Sequence, residues 1–175
     1  GILDSSLDEE DETLTISLES EISPGNGEIS IQFVGQLNDR LLGFYRSSYK
    51  DIKGDERYLA TTQFESTDAR RAFPCWDEPE HKATFDVTLV IPEHLTAVSN
   101  MPVISQTPAS HGKTAVSFDT TPVMSTYLLA FIVGDISCIE QESTSGTLMR
   151  VWTTKGKEEQ GRFALETSLE LLDFY

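Results

Sequence analysis

Short runs of alternating apolar and polar residues limit the fold of this chain more than any other feature. Leu14, Ile16 and Leu18 alternate with polar residues, and similar runs recur downstream, most of them bounded by Pro, Gly or Asn. Because a strand turns successive side chains to opposite faces, this period of two predicts strands with one buried face. Spacings of about ten residues between such strands are typical of an antiparallel sandwich or barrel. We therefore predict an all-β, antiparallel β-sandwich.

Individual strands follow from the same pattern. The turn residues SPGNG (23–27) predict a hairpin between 13–19 and 29–33, and 126–134, which is apolar on both faces, predicts a buried central strand. Other strands are expected in LLGFYRSSY, RYLATTQFE, FDVTLVIP, TAVSNMPV, KTAVSFD and LMRVWTT. The acidic run within 1–12 predicts a solvated, mobile segment.

The last residues have a different period. Leu165, Leu169 and Leu172 recur at helical spacing, so we expect one amphipathic helix at the C-terminal end. Its apolar stripe needs a surface to pack against, and a terminal helix on a sandwich commonly belongs to the domain that follows. We therefore assign 13–155 to the sandwich and 156–175 to the truncated first helix of a next domain.

The charge of the chain restricts its partners. The formal net charge is −16, with 29 acidic and 13 basic residues, so nucleic acid and anionic membranes are disfavoured as partners. No run of about 20 apolar residues could span a bilayer. Cys75 and Cys138 are too few for a disulfide framework, and we expect reduced thiols. With no secretory leader recognised, these features favour a cytoplasmic location.

Motifs for catalysis are missing from the sequence. His81, His94 and His111 are widely spaced and none begins an HExxH, so we predict no metal site and no catalytic residue within this chain. Cys75 is close to His81 in sequence, but a thiol and an imidazole in one loop seldom form a nucleophilic pair. We expect both residues to be structural or exposed.

The segment TTQFESTDARRAFPCWDEPEHKATF (61–85) is dense in charged, aromatic and proline residues. The prolines restrict the backbone, and arginine can donate two hydrogen bonds to one carboxylate. We predict a rigid loop in which Phe73 and Trp76 pack into the sandwich. Its charged residues are predicted to pair across the loop: Arg70, Arg71, Asp77 and Glu78.

Gln63 and Glu65 form a separate candidate site. Residues two apart on a strand share a face, so an amide and a carboxylate would project together while Phe64 turns the other way. Two readings are open from the residues alone: the pair binds a ligand amine, or both side chains simply face solvent.

Three separated blocks resemble one protein family. They are GQLNDRLLGFYRSSY (35–49), TTQFESTDARRAFPCWDEPEHKATFDVTLVIP (61–92) and TTPVMSTYLLAFIVGDI (120–136). In this order and spacing they resemble the N-terminal domain of the zinc aminopeptidases of the aminopeptidase N group, particularly its puromycin-sensitive branch. The resemblance runs from about Leu14 to Tyr175.

This resemblance implies a saddle-like β domain that packs against the catalytic domain and lends residues to its active site. Glu65 is expected to bind the free α-amino group of a peptide substrate, and Gln63 to line the pocket for the first side chain. An ammonium about 4 Å from a carboxylate gains on the order of 4 kcal/mol at an intermediate dielectric. The parent is thus expected to be a zinc-dependent aminopeptidase whose partners are peptides with a free N-terminus.

The zinc-binding HExxH of the family is absent, as are its first strands, so we expect a fragment with an incomplete sandwich, inactive alone and without a metal of its own. Zinc would be bound by the missing catalytic domain. The alternative is a non-catalytic β-sandwich that serves as a protein-interaction module.

Overall fold

A computed structural model describes residues 1–175, with every side chain except that of Asp173. In chain order the strands are β1 (Ile2–Asp8), β2 (Thr13–Leu18), β3 (Gly43–Lys50), β4 (Glu56–Gln63), β5 (Thr88–Pro92), β6 (Thr96–Ser99), β7 (Val103–Ala109), β8 (Lys113–Phe118), β9 (Phe131–Gly134), β10 (Ile136–Glu142) and β11 (Leu148–Thr154). Short 3-10 turns cover Ala69–Arg71, Thr126–Leu128 and Glu158–Gly161, and helix α1 spans Arg162–Phe174.

The strands form two main sheets and two hairpins. One sheet has the order β3-β4-β9-β6 and the other β5-β8-β7, while β1-β2 and β10-β11 are separate pairs. All strand pairs are antiparallel. Buried residues from both main sheets meet in one core: Ile91, Ala97, Val116 and Phe118. The predicted antiparallel all-β fold with one C-terminal helix is confirmed.

A second core lies under the charged loop. Phe64, Ala69 and Leu129 are buried there, and partly buried aromatic rings pack around them. The ring of Phe64 makes edge contacts with Phe73 and Phe131, at centroid distances of 5.9 and 6.0 Å. Such edge-to-face pairs add to the stabilisation from burial. This cluster fixes the loop to the end of the four-stranded sheet.

Helix α1 packs on the β10–β11 hairpin. Leu165 and Leu169 are its buried residues, whereas Phe163 and Phe174 are exposed. At the turn before the helix, a Cβ on Gly161 would lie only 2.8 Å from Cγ1 of Val151, so the close approach requires glycine. The helix thus contacts the β domain, and its assignment to a following domain stays a proposal. Among the described residues, no helix is long and apolar enough to cross a membrane.

The N-terminal region differs from its prediction. Residues Ile2–Asp8 form an exposed strand that pairs with Thr13–Leu18, and the predicted mobility of residues 1–12 stays a prediction. The hairpin predicted between 13–19 and 29–33 is wrong, because β2 pairs with β1 and residues 21–37 contain no strand. The strand predicted for 126–134 begins only at Phe131, after a 3-10 turn. It lies in the interior of its sheet, between β4 and β6.

Candidate functional site

The candidate site lies where β4 ends. Gln63 is the last residue of the strand, Phe64 is only 2% exposed, and both Gln63 and Glu65 are exposed. The alternation therefore continues past the strand, with the aromatic ring directed into the core and the two polar side chains outward. The amide nitrogen of Gln63 donates a long hydrogen bond of 3.4 Å to the carbonyl oxygen of Glu65. The peptide bond after Glu65 is cis.

The carboxylate of Glu65 is unpaired. Within the part of the chain that the structure describes, it accepts no hydrogen bond and forms no ion pair, although two arginines follow within the same loop. Those arginines are held by other carboxylates. Glu65 thus presents a negative charge that the chain itself does not neutralise.

Arg70 and Asp77 form the buried part of the loop. Asp77 is 5% exposed, and its Oδ2 accepts hydrogen bonds from the backbone N–H of Arg70 at 3.0 Å and from Arg70 Nε at 3.3 Å. Its Oδ1 accepts a hydrogen bond of 2.6 Å from the hydroxyl of Thr126. Arg70 also donates to the carbonyl oxygen of Asp77 at 3.0 Å. A buried carboxylate is tolerated only when it is bonded in this way.

Glu78 contributes little to the same network. Its carboxylate is 3.9 Å from Arg70, and its side chain is 62% exposed. An exposed ion pair at that distance has a small effect on stability. The loop therefore depends on Asp77 rather than on Glu78.

Arg71 joins three parts of the chain. Its Nε donates to Asp68 at 2.7 Å, and its NH2 group lies 2.8 Å from Oε1 of Glu12. The hydrogen bond to Asp68 raises the pKa of Arg71, with a further contribution from the charge of Glu12. The sequence did not predict the role of Glu12, because nothing local in the acidic run distinguishes it from its neighbours.

Of the two aromatic residues predicted to pack into the sandwich, only Phe73 does so. Its ring contacts Phe64, whereas Trp76 is 72% exposed and the expectation that it is buried is wrong. Trp76 instead lines an open, mainly apolar cleft of about 470 Å³, together with Phe73, Pro74 and Phe85. The buried side chain next to Trp76 in sequence is instead Asp77.

Both cysteines are thiols whose pKa is raised. Burial raises the pKa of Cys75 to about 11, with a smaller contribution from the charge of Asp77, so the thiol is protonated at neutral pH. Burial also raises the pKa of Cys138, and both cysteines are free. No three His, Cys, Asp or Glu side chains among the described residues could together hold a metal ion. The described residues therefore offer no set of ligands that fits a zinc ion.

Comparison with known proteins identifies the family. Residues 2–128 match the model of the peptidase M1 N-terminal domain. The chain is 53% identical over 174 residues to puromycin-sensitive aminopeptidase of Caenorhabditis elegans, which covers 99% of this chain and 18% of that protein. It is 47% identical over 170 residues to aminopeptidase M1-D of Oryza sativa subsp. japonica, covering 97% and 19%.

A yeast relative gives the same result. Aminopeptidase 2, mitochondrial, of Saccharomyces cerevisiae is 47% identical over 152 residues, or 86% of this chain and 16% of that protein. The chain thus spans less than a fifth of the length of these curated relatives. It belongs to the peptidase M1 family, and its residues correspond to the N-terminal domain of that family.

Proposed function

We propose that this chain is the domain of an aminopeptidase that recognises the N-terminus of the substrate, with Glu65 binding the α-ammonium group and Gln63 contacting the first side chain. The unpaired carboxylate of Glu65 is the observation that carries this proposal. An exposed acid with no internal partner retains its full charge for a ligand cation. A peptide with a free N-terminus offers such a cation, and an acetylated peptide does not.

The position of Glu65 supports the same role. Phe64 is buried directly before it, and the loop after it is fixed by Arg70 and Asp77. The carboxylate therefore projects from a rigid part of the domain, which reduces the entropy lost when a ligand is bound. Gln63 is held close by its bond to the Glu65 carbonyl, and both side chains are exposed.

The activity proposed for the parent protein is the release of N-terminal amino acids from peptides. This chain alone is proposed to be inactive, because a zinc ion would have to be bound by residues outside these 175. The parent's own catalytic domain is the proposed packing partner, and a cytoplasmic location is proposed and is testable by cell fractionation.

Kinetics of the full-length parent test the proposal. Glu65→Ala and Glu65→Gln are expected to raise KM for aminoacyl amides by roughly 10-fold or more, because a hydrogen bond to a charged group contributes about 1.5–3 kcal/mol. Glu78→Gln is the matched control, since Glu78 is an exposed carboxylate in the same loop. If both Glu65 variants keep the KM and turnover of the wild type, the assignment fails.

A further inference from the structure

Arg71 lies close to the candidate site. Unlike Arg70, it is not bound to Asp77. Its guanidinium bridges two carboxylates, Asp68 at 2.7 Å and Glu12 at 2.8 Å. Asp68 is within the loop, whereas Glu12 belongs to the turn between β1 and β2. A planar guanidinium can satisfy two acids at once, which a lysine ammonium does with much less geometric definition.

Asp68 in turn closes the segment that carries Glu65. Its backbone N–H donates to the carbonyl oxygen of Phe64 at 2.9 Å, so residues 64–68 form one hydrogen-bonded turn with Glu65 inside it. Phe64 is fixed by burial at one end of this turn, and Arg71 holds the side chain of Asp68 at the other.

Gly43 packs closely against Arg71. It is the first residue of β3 and pairs with Gln63 at the end of β4. A Cβ on Gly43 would lie 2.8 Å from Cβ of Arg71, and the φ angle of Gly43 is +68°, so glycine is needed for two reasons. Arg71 is thus seated directly against the strand end that presents Gln63.

We propose that Arg71, held between Asp68 and Glu12, is a positioning residue that fixes the backbone turn carrying Glu65, and thereby the place from which its carboxylate reaches the substrate amine. This inference rests on the proposed function of Glu65. It also connects the N-terminal hairpin to substrate affinity, because Glu12 supplies one of the two carboxylates. Among the described residues, β1 and β2 pair extensively with each other, and Glu12 links their turn to the loop through Arg71 at 2.8 Å and, more weakly, Arg70 at 3.9 Å.

Arg71→Lys and Glu12→Gln in the full-length parent test this inference. Lysine retains the positive charge, so a change in KM would reflect lost geometry rather than a changed long-range field. We expect Arg71→Lys to raise KM for an aminoacyl amide roughly three- to fivefold with kcat nearly unchanged, and Glu12→Gln to raise KM in the same direction by less.

Arg57→Lys is the matched control. Arg57 also faces two carboxylates, Asp51 at 3.0 Å and Asp55 at 3.9 Å, but at the opposite end of the β3–β4 hairpin. Arg57→Lys is expected to leave KM unchanged. The thermal unfolding midpoint of this variant measures how much stability is lost when such a bridge is removed away from the site.

The outcomes separate the two proposals. A normal KM for Arg71→Lys together with a raised KM for Glu65→Gln overturns the positioning role and leaves the proposed function intact. An equal rise in KM for Arg57→Lys also overturns it, because the effect would then be general. If Arg71→Lys does not accumulate as folded protein, Glu12→Gln decides: a raised KM supports the inference, and an unchanged KM contradicts it. An unchanged KM for Glu65→Gln removes the proposed function, and this inference with it.

Discussion

Two carboxylates in the same loop have opposite environments. Asp77 is 5% exposed and accepts hydrogen bonds from Arg70 and Thr126, whereas Glu65 is exposed and has no partner among the described residues. Both belong to one charged segment, and charge alone does not separate them. Burial and hydrogen bonding show that the Asp77 half of the loop maintains the structure, while the Glu65 end is the proposed ligand-binding end.

This difference between Asp77 and Glu65 leads to a general expectation. Changes around Asp77 should lower the free energy of unfolding, and changes at Gln63 or Glu65 should alter binding without altering stability. Phe64 lies between the two halves, because its side chain is in the core and its backbone begins the turn that carries Glu65.

The largest expected effect is therefore at Phe64. Phe64→Ala removes a ring that is 2% exposed and contacts Phe73 and Phe131. We expect a loss of about 4 kcal/mol in the free energy of unfolding, because the cavity adds to the lost burial. Urea denaturation of the 175-residue chain measures it; a loss below about 1 kcal/mol would show that the second core does not hold the loop.

Asp77→Ala tests the structural half directly. It leaves Arg70 and the Thr126 hydroxyl without their acceptor, and breaking a buried pair typically costs about 3–5 kcal/mol. We expect a value near the lower limit, about 3 kcal/mol, because the partly exposed Arg70 can turn to water. In the matched Glu78→Gln variant the unfolding midpoint should barely move. An equal loss of unfolding free energy in Asp77→Ala and Glu78→Gln would contradict the structural role assigned to Asp77.

Much of this loop was predictable from sequence, and the reasons are local. The period of two correctly placed Phe64 inside and its two neighbours outside, because alternation is a property of adjacent residues. The contact between Arg70 and Asp77 spans only seven positions, so the two opposite charges are close in sequence. The role of Glu65 in substrate binding stays a prediction.

What the sequence missed depends on contacts between distant residues. Thr126 reaches Asp77 across 49 positions, and nothing in its own segment indicates that its hydroxyl is needed there. Glu12 reaches Arg71 from the distant turn between β1 and β2, and a run of similar acidic residues cannot indicate which one is used. The exposure of Trp76 was missed because large aromatic residues are generally expected to be buried. The hairpin with 29–33 failed because alternation predicts a strand but does not specify its partner.

A smaller effect is expected from Gln63, on the binding side of the comparison. Gln63→Ala removes an exposed amide that bonds only the Glu65 carbonyl, so stability should be unchanged. In the full-length parent we expect the ratio of kcat/KM between substrates with different first residues to change roughly threefold to tenfold. Competition assays with alanyl and leucyl amides measure that ratio, and an unchanged ratio would remove Gln63 from the first pocket.

Cys75 gives the smallest effect, through pH. Its pKa is raised to about 11 by burial, above the ordinary value of 9.0, so the folded state binds the thiol proton more tightly than the unfolded state does. The thiol therefore stabilises the fold fully below pH 9, and this stabilisation is lost as the pH rises through 9 toward about 11. After allowance for partial exposure, the loss is on the order of 1 kcal/mol.

Cys75→Ser should remove that part of the pH dependence. Urea denaturation of both proteins at pH 8 and pH 10.5 gives the change in the free energy of unfolding for each. The titration of lysines and tyrosines is common to both proteins, so it cancels when the two changes are subtracted. If the free energy of unfolding falls equally with pH in the wild type and the variant, the thiol is not shielded by the loop.

The most direct test of the central claim compares a short peptide with its N-acetylated form as competitive inhibitors of the full-length parent. The account predicts that the wild type binds the free peptide more tightly and that Glu65→Gln reduces this preference roughly 10-fold or more, mainly by weakening the free peptide. A variant that keeps the wild-type ratio would contradict it, because the free amine would then be recognised by another group.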